Sequence, residues 1–245
     1  AAIQLIPTNL ELLIFIFKTS SKKIFNFFEK VFYFDYWNIG VVNKEISSFL
    51  EPNQKYDVKW FPLRNKERFF ADPFGISDVN GMHIFFEEYR YKEGKGKISY
   101  TFYEKGQYTE PVTIIEEDFH LSYPYIIEQN EDKYIIPESF EANKVIIYRA
   151  VEFPYKWQKF DTLIDNYSGV DSSIIYYKNL WWMFSSNYND GSSYNLNLFF
   201  TSELSGEWHS HPQNPIKTDI RSSRSAGTPF IYKGSLYRPS MNYSI

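Results

Sequence analysis

The chain contains no cysteine, so it can form neither a disulfide nor a thiolate metal site. That absence fits a reducing compartment, and the expected location is cytoplasmic. The four histidines are scattered and give no zinc cluster. There is no Gly-rich phosphate loop, no His-Glu-x-x-His and no nucleophile elbow. The expectation is therefore a site with no metal and no cofactor. A net charge of -4 with no basic stripe argues against a nucleic-acid partner. Long apolar runs are missing too. Leu10 to Phe17 is apolar apart from Glu11, far short of the roughly 20 residues that span a bilayer. It also lacks the basic start and small-residue cleavage site of a signal peptide.

Aromatic residues, by contrast, are abundant: 20% of the chain, with 21 Tyr and 23 Phe. Flat aromatic side chains pack well on pleated surfaces, so this composition favours strands. At 245 residues the chain suits one all-β domain.

A repeat organises that domain. An apolar, usually Pro-marked strand is followed by a short polar turn and then by an aromatic strand. The copies start at Asp72-Pro73-Phe74, Tyr123-Pro124-Tyr125, Asp171-Ser172-Ser173 and Thr228-Pro229-Phe230. With Pro73, Pro124, Ser172 and Pro229 as equivalents, the steps are 51, 48 and 57 residues. A period near fifty, built of four short strands, is the pattern of propeller blades. The expected blades lie near residues 72–118, 119–166, 167–212 and 224–245, the last one partial, within a propeller domain over 37–245. Three and a half blades plus an N-terminal strand or two leave the ring open. The full-length protein is therefore expected to continue.

Residues 1–36 read as a helical and linker segment, with Pro7-Thr8-Asn9 as its start. Lysines interleave with aromatics here. Two readings stand: a helical hairpin packed on a domain, or a peripheral membrane contact through residues 10–34.

A propeller gathers the first strand of every blade around one funnel, so Asp72, Tyr123, Asp171 and Gly227 are expected to converge. Asp72 and Asp171 hold the same place in different blades. Each either caps its turn or points a carboxylate into the funnel. Paired carboxylates suit glycosyl chemistry, in which one moves a proton and the other stabilises the oxocarbenium-like centre. Glu138 ends a second strand after Pro137. Proline interrupts a ladder, so the strand is expected to end or bulge there, turning Glu138 to the funnel rim. Glu87 and Glu88 end the equivalent strand, and alternation sends one to each face. Glu88 is taken as the substrate-facing one. His120 and Ser122 precede an inner strand. Arg221 and Arg224 precede another, and Arg238 follows. An arginine there can fork onto a carboxylate or phosphate, or simply ion-pair with Asp72, Asp171 or Glu138. The expected assignment has Asp72, Glu138 and Asp171 as catalytic groups, with His120, Ser122, Arg224, Glu88 and Arg238 binding substrate. Trp181, Trp182 and Tyr89 read as blade core rather than as sugar platforms.

Six segments together carry a resemblance: Phe70-Ala71-Asp72-Pro73-Phe74, Phe85-Phe86-Glu87-Glu88-Tyr89, His120-Leu121-Ser122-Tyr123-Pro124, Ile136-Pro137-Glu138-Ser139, Trp181-Trp182-Met183-Phe184, and Arg224-Ser225-Ala226-Gly227 followed by Tyr237-Arg238-Pro239. Over about residues 37–245 the chain resembles the propeller domain named after the N-terminal part of plant glucosamine inositolphosphorylceramide transferase. That family has bacterial relatives in surface-polysaccharide gene clusters, sometimes fused to transferase domains. The resemblance implies a five-bladed propeller similar to arabinanases, invertases and levansucrases, with a carbohydrate or nucleotide-sugar ligand. It also implies a fused or partner transferase. Those glycosidases carry an Asp in the first blade, an Asp two blades later and an acid Glu one blade beyond. Asp72 and Asp171 match the first two. No carboxylate stands near Arg224-Ser225-Ala226-Gly227, so either Glu138 acts from another blade or the reaction needs no acid. The functional expectation is glycosyl transfer or glycoside processing in surface glycan or glycolipid assembly. The alternative is a non-catalytic glycan-binding module.

Overall fold

A computed structural model describes residues 10, 36–51, 53–64 and 66–244. The expected N-terminal helix and membrane contact fall almost wholly outside these residues. By internal contacts the chain divides into residues 1–36 and Trp37–Ile245; the second unit is described below.

That unit is built of antiparallel sheets arranged in chain order. The first sheet pairs β1 (Gly40–Val42) with β2 (Val58–Trp60). The second contains β3 (Arg68–Ser77), β4 (Met82–Arg90) and β5 (Lys95–Glu104), with β6 (Gln107–Tyr108) and β7 (Val112–Ile115) both on β5. The third runs β8 (Ser122–Gln129), β9 (Asp132–Glu138), β10 (Lys144–Glu152), β11 (Lys156–Asp165). The fourth runs β12 (Gly169–Tyr177), β13 (Leu180–Asn187), β14 (Asn195–Thr201), with β15 (His209–Ser210) and β16 (Lys217–Thr218) on β14. The fifth pairs β17 (Phe230–Tyr232) with β18 (Ser235–Tyr237). Short 3-10 helices occupy Ile46–Leu50 and Phe140–Ala142.

Each short turn of the repeat, four residues in the first copy and two in the others, closes a hairpin, which is why the aromatic runs pair as adjacent strands. The first strands lie side by side, β3 against β8 and β8 against β12. This is how a propeller lines its axis.

The main core lies between sheets. Phe85 on β4 is fully buried and meets Tyr100 on β5. It also meets Phe153 and Trp157 of the third sheet, with centroids 6.0 and 5.7 Å away. Trp181 joins the same core and is buried, as expected for blade packing. A smaller core of Ile39, Phe61, Phe70, Ile84 and Phe86 joins the first sheet to the second.

One expectation is corrected. β9 does not end or bulge at Pro137 but runs unbroken through Asp132–Glu138. The irregularity is on its partner, where the register jumps from Ser122↔Glu138 to Tyr125↔Ile136. Pro137 therefore faces the bulge of β8, where the ladder asks for no N–H.

Phe85→Ala should cost about 3–5 kcal/mol in a denaturant melt, because it empties a site shared by two sheets. Val79→Ala, at a position 99% exposed, should stay within about 0.5 kcal/mol. Equal costs for the two variants would contradict the inter-sheet core.

Candidate functional site

Three inner strands share one local device. The register slips between Ala71 and Phe74 in β3, between Ser122 and Tyr125 in β8, and between Val170 and Ser173 in β12. In each slip one residue is left-handed: Asp72 at φ 49°, Tyr123 at 44° and Asp171 at 48°. A bulge places two residues opposite one and re-aims a side chain. Pro73 and Pro124 sit in the bulges, where a missing N–H breaks nothing. Gly227 lies near this axis at φ 146°, a conformation that L side chains rarely adopt.

Tyr123 binds the inner ends together. Its hydroxyl lies 2.8 Å from Ser173 Oγ and accepts the Gly227 N–H at 2.8 Å. Ser173 in turn donates to the Gly227 carbonyl at 3.3 Å. Burial, with Asp171 adding to it, pushes the Tyr123 hydroxyl well above its ordinary pKa.

The carboxylates converge from different sheets. Asp171 is 2% exposed and receives the Arg224 Nε–H. Its backbone N–H donates to Glu138 Oε2 at 3.0 Å. Arg224 Nη2 lies 3.9 Å from the same Glu138 oxygen, and its guanidinium sits 5.6 Å from the Tyr243 ring centre. Burial acts to lower the Arg224 pKa, but Asp171 and Glu138 outweigh it and raise it. Glu138 is raised well above its usual value by burial and then by Asp171. Asp72, half-buried, is pushed up to about 6 by burial and by Asp171, against the opposing pull of Arg224.

Glu87, rather than Glu88, faces this group. It is 6% exposed and raised to about 8, first by burial and then by Asp72 and Asp171. His120 Nε2 lies 3.5 Å from Glu87 Oε1. Glu88 is on the opposite face of β4. It accepts from Arg68 at 2.9 Å, from Arg90 Nε at 2.7 Å and from Ser99 at 2.7 Å. Burial would raise its pKa, but those donors hold it below the ordinary glutamate value. Glu88 is thus a structural ion pair, a correction to the expected substrate contact.

The remaining expected residues divide. Ser122 is buried opposite Glu138 in the ladder. His120 stands beside Glu87. Arg238 does not reach the carboxylates. It donates to the Ser222 carbonyl, to Ser225 Oγ at 3.5 Å and to the Pro239 carbonyl at 3.3 Å, bracing the loop that presents Arg224. Exposed Arg221 pairs with half-buried Asp219 and stays outside the site. Among the described residues no cluster of three His, Asp or Glu is grouped to hold a metal ion. A surface recess of about 870 Å³, lined by Val41–Glu45, Ser77, Asp78 and Tyr103–Gly106 among others, holds none of the converging carboxylates.

Side-by-side antiparallel sheets with converging inner strands define a β-propeller, and solved structures agree. The chain is similar to Zg3597, a family 117 glycoside hydrolase of Zobellia galactanivorans. The TM-score is 0.59 and the identity 15%, over 73% of this chain and 64% of that one. It is similar to RS223-β-xylosidase with a TM-score of 0.58 and 10% identity, covering 82% and 73%. At these identities the likeness shows the fold alone.

Sequence relatives narrow the class. The chain belongs to the family described as glucosamine inositolphosphorylceramide transferase 1, N-terminal, which it matches over residues 63–244. It is 35% identical to glucosamine inositolphosphorylceramide transferase 1 of Arabidopsis thaliana over 228 residues, 82% of this chain and 30% of that protein. To the protein of the same name from Oryza sativa subsp. japonica it is 34% identical over 183 residues, 72% of this chain and 24% of that protein. The chain thus spans less than a third of the length of these relatives.

The electrostatics generate a pH prediction. Glu87 binds its proton more tightly folded than unfolded, so its contribution is complete below about pH 4.5 and is lost as pH rises through about 8. His120 works the other way, because burial lowers its pKa below the usual 6.5. Its effect is confined to pH values below that point. From pH 6.5 to 8, stability should therefore fall, by at most about 1.4 kcal/mol per pH unit for the Glu87 proton. Denaturant midpoints should show a shallower fall in Glu87→Gln. Parallel curves for the two proteins would refute a proton held on Glu87.

Proposed function

We propose that this chain is a carbohydrate-active propeller domain of surface glycan or glycolipid assembly, acting in glycosyl transfer or glycoside processing at its carboxylate cluster. The observation that carries this reading is the convergence of Asp72, Glu138 and Asp171 with Arg224, from three different sheets. The family name, the transferase names of the relatives and the glycoside hydrolases that share the fold support the same substrate class. The five sheets are read as blades of a five-bladed ring.

Asp72 is the residue best suited to accept a proton or attack. It is the most exposed of the three, and a pKa of about 6 leaves it mainly ionised at neutral pH while keeping it basic. Asp171, anchored by Arg224, supplies negative potential to a cationic sugar centre. Glu138 receives the Asp171 N–H and keeps that strand end in place.

A second reading, a glycan-binding module serving a transferase domain, draws on one specific observation: the chain spans only 24–30% of its transferase-named relatives.

Asp72→Asn separates the two. Asparagine tolerates the left-handed backbone as aspartate does, so folding should be unchanged. With a catalytic site, turnover on a panel of glycosides and nucleotide sugars should drop by about 100-fold or more while ligand affinity stays within a few-fold. With a binding site, affinity should weaken modestly and no turnover should be seen in either protein. Full activity in Asp72→Asn would remove Asp72 from the chemistry.

A further inference from the structure

The carboxylate that resemblance leads one to seek near Arg224 is absent, yet a fourth acidic side chain enters the site from the first full blade. Glu87 lies on β4 opposite Ala71, one residue before the Asp72 bulge, and is 6% exposed. Unlike Glu138, which is tied to the Asp171 amide and lies beside Arg224, and unlike Glu88, which is saturated by Arg68, Arg90 and Ser99, Glu87 is approached by one polar side chain among the described residues, His120.

The surroundings of that pair are specific. The Gly96 N–H donates to His120 Nδ1 at 2.9 Å. An Nδ1 that accepts carries no proton, so the ring proton is on Nε2, the atom 3.5 Å from Glu87 Oε1. The His120 backbone N–H is anchored on Glu141 Oε2 at 2.9 Å. Gly96 makes the arrangement possible. A Cβ there would lie 2.7 Å from Glu87 Oε1, 2.9 Å from His120 Cε1 and 2.6 Å from the Leu121 carbonyl. The charged groups facing Glu87 are Asp72 and Asp171, both of which favour a neutral carboxyl. Asp171 is itself partnered by Arg224.

We propose that Glu87 is a further catalytic residue of this site, the proton donor to the departing glycosidic oxygen, with His120 as its positioning residue, and that the substrate is a glycoside with an alcohol leaving group rather than a nucleotide sugar. The inference rests on the carbohydrate reading above. In the step, the bond from the anomeric carbon to the leaving oxygen breaks, and its electron pair stays on that oxygen, which takes the Glu87 proton. The attacking hydroxyl, from water or an acceptor sugar, bonds to the anomeric carbon and gives its proton to Asp72. Glu87 ends as carboxylate and Asp72 as acid, and solvent returns both to their starting states. An alcohol is a poor leaving group without that proton, whereas a nucleoside diphosphate leaves as a stable anion and needs no buried acid.

The experiment is a leaving-group series on the full chain: alkyl glycosides, nitrophenyl glycosides of the same sugars, and nucleotide sugars. Wild type should turn over the alkyl and nitrophenyl glycosides. Glu87→Gln should lose about 10²–10⁴-fold on alkyl glycosides, yet less than about 10-fold on nitrophenyl glycosides, whose leaving group needs no proton. His120→Phe should shift the alkaline limb of the alkyl-glycoside pH profile, which a purely structural role would not do selectively. In wild-type protein carrying ¹³C-labelled glutamate, the Glu87 carboxyl should titrate above pH 7. Equal losses on both glycoside types, a Glu87 midpoint below pH 5, or turnover confined to nucleotide sugars would overturn the assignment. If Glu87→Gln is unaffected while Asp72→Asn is inactive, the donor role alone fails. If Asp72→Asn keeps full activity, or wild type acts on none of the panel, the carbohydrate-processing reading fails and takes the donor role with it.

Discussion

The left-handed bulge in the inner strands is the constraint on which this architecture rests. A regular strand alternates its side chains between the two faces, so none is directed along the strand end toward a common axis. Inserting one residue at Asp72, Tyr123 and Asp171 breaks the alternation at equivalent places in the first strands of three sheets. Each such residue stands in a conformation that disfavours L side chains by about 1–2 kcal/mol. That strain persists only where surrounding contacts over-determine it. At Tyr123 the contacts are Ser173 and Gly227; at Asp171 they are Glu138 and Arg224. The same bonds that hold the bulges run between sheets, so the local strain and the joining of the inner strands are one interaction seen twice.

The electrostatics of the axis follow from that geometry. Four acidic side chains approach with one guanidinium among them. Buried like charges cannot all ionise at neutral pH. The chain resolves this unevenly. Arg224 is committed to Asp171, burial and Asp171 push Glu138 well up, Glu87 is raised to about 8 and Asp72 to about 6. Carboxyls of differing proton affinity in one site are what acid–base chemistry requires. Arg238 contributes at one remove, by fixing the loop from Ser222 to Ser225 that aims Arg224.

Much of this was legible in the sequence because it recurs. The apolar–turn–aromatic repeat gave the blades, and Pro73 and Pro124 marked where inner strands could not be regular ladders. Asp72, Asp171, Glu138 and Arg224 stood at repeated or neighbouring places and interact with one another, and His120 stands beside Glu87. What failed was parity. Choosing between Glu87 and Glu88 needs the face of β4, and a bulge in the partner strand uncouples that face from simple counting. A signal was nonetheless present: Glu88 and Arg90 are two apart in a strand, hence on one face, and a carboxylate with an arginine beside it is the one already paired. Pro137 misled for a related reason. Its lost N–H is absorbed by irregularity in β8, which is not visible from β9 alone. Tyr243 lies outside the repeat and had no periodic signal.

A propeller axis also explains why fold likeness to glycoside hydrolases transfers so little. Function on a shared fold resides in grafted side chains. Every blade brings the ends of its inner and second strands to the same funnel, so a proton donor can enter from any of them and still reach one anomeric centre. Here Arg224 stands on the loop before β17 and pairs with Asp171. On β4, Gly96 leaves room for Glu87 and His120 to meet. The cation and the buried Glu87 carboxyl are linked by charge through Asp171. Without Arg224, Asp171 would be a buried carboxylate with no cation beside it, which is strongly destabilising.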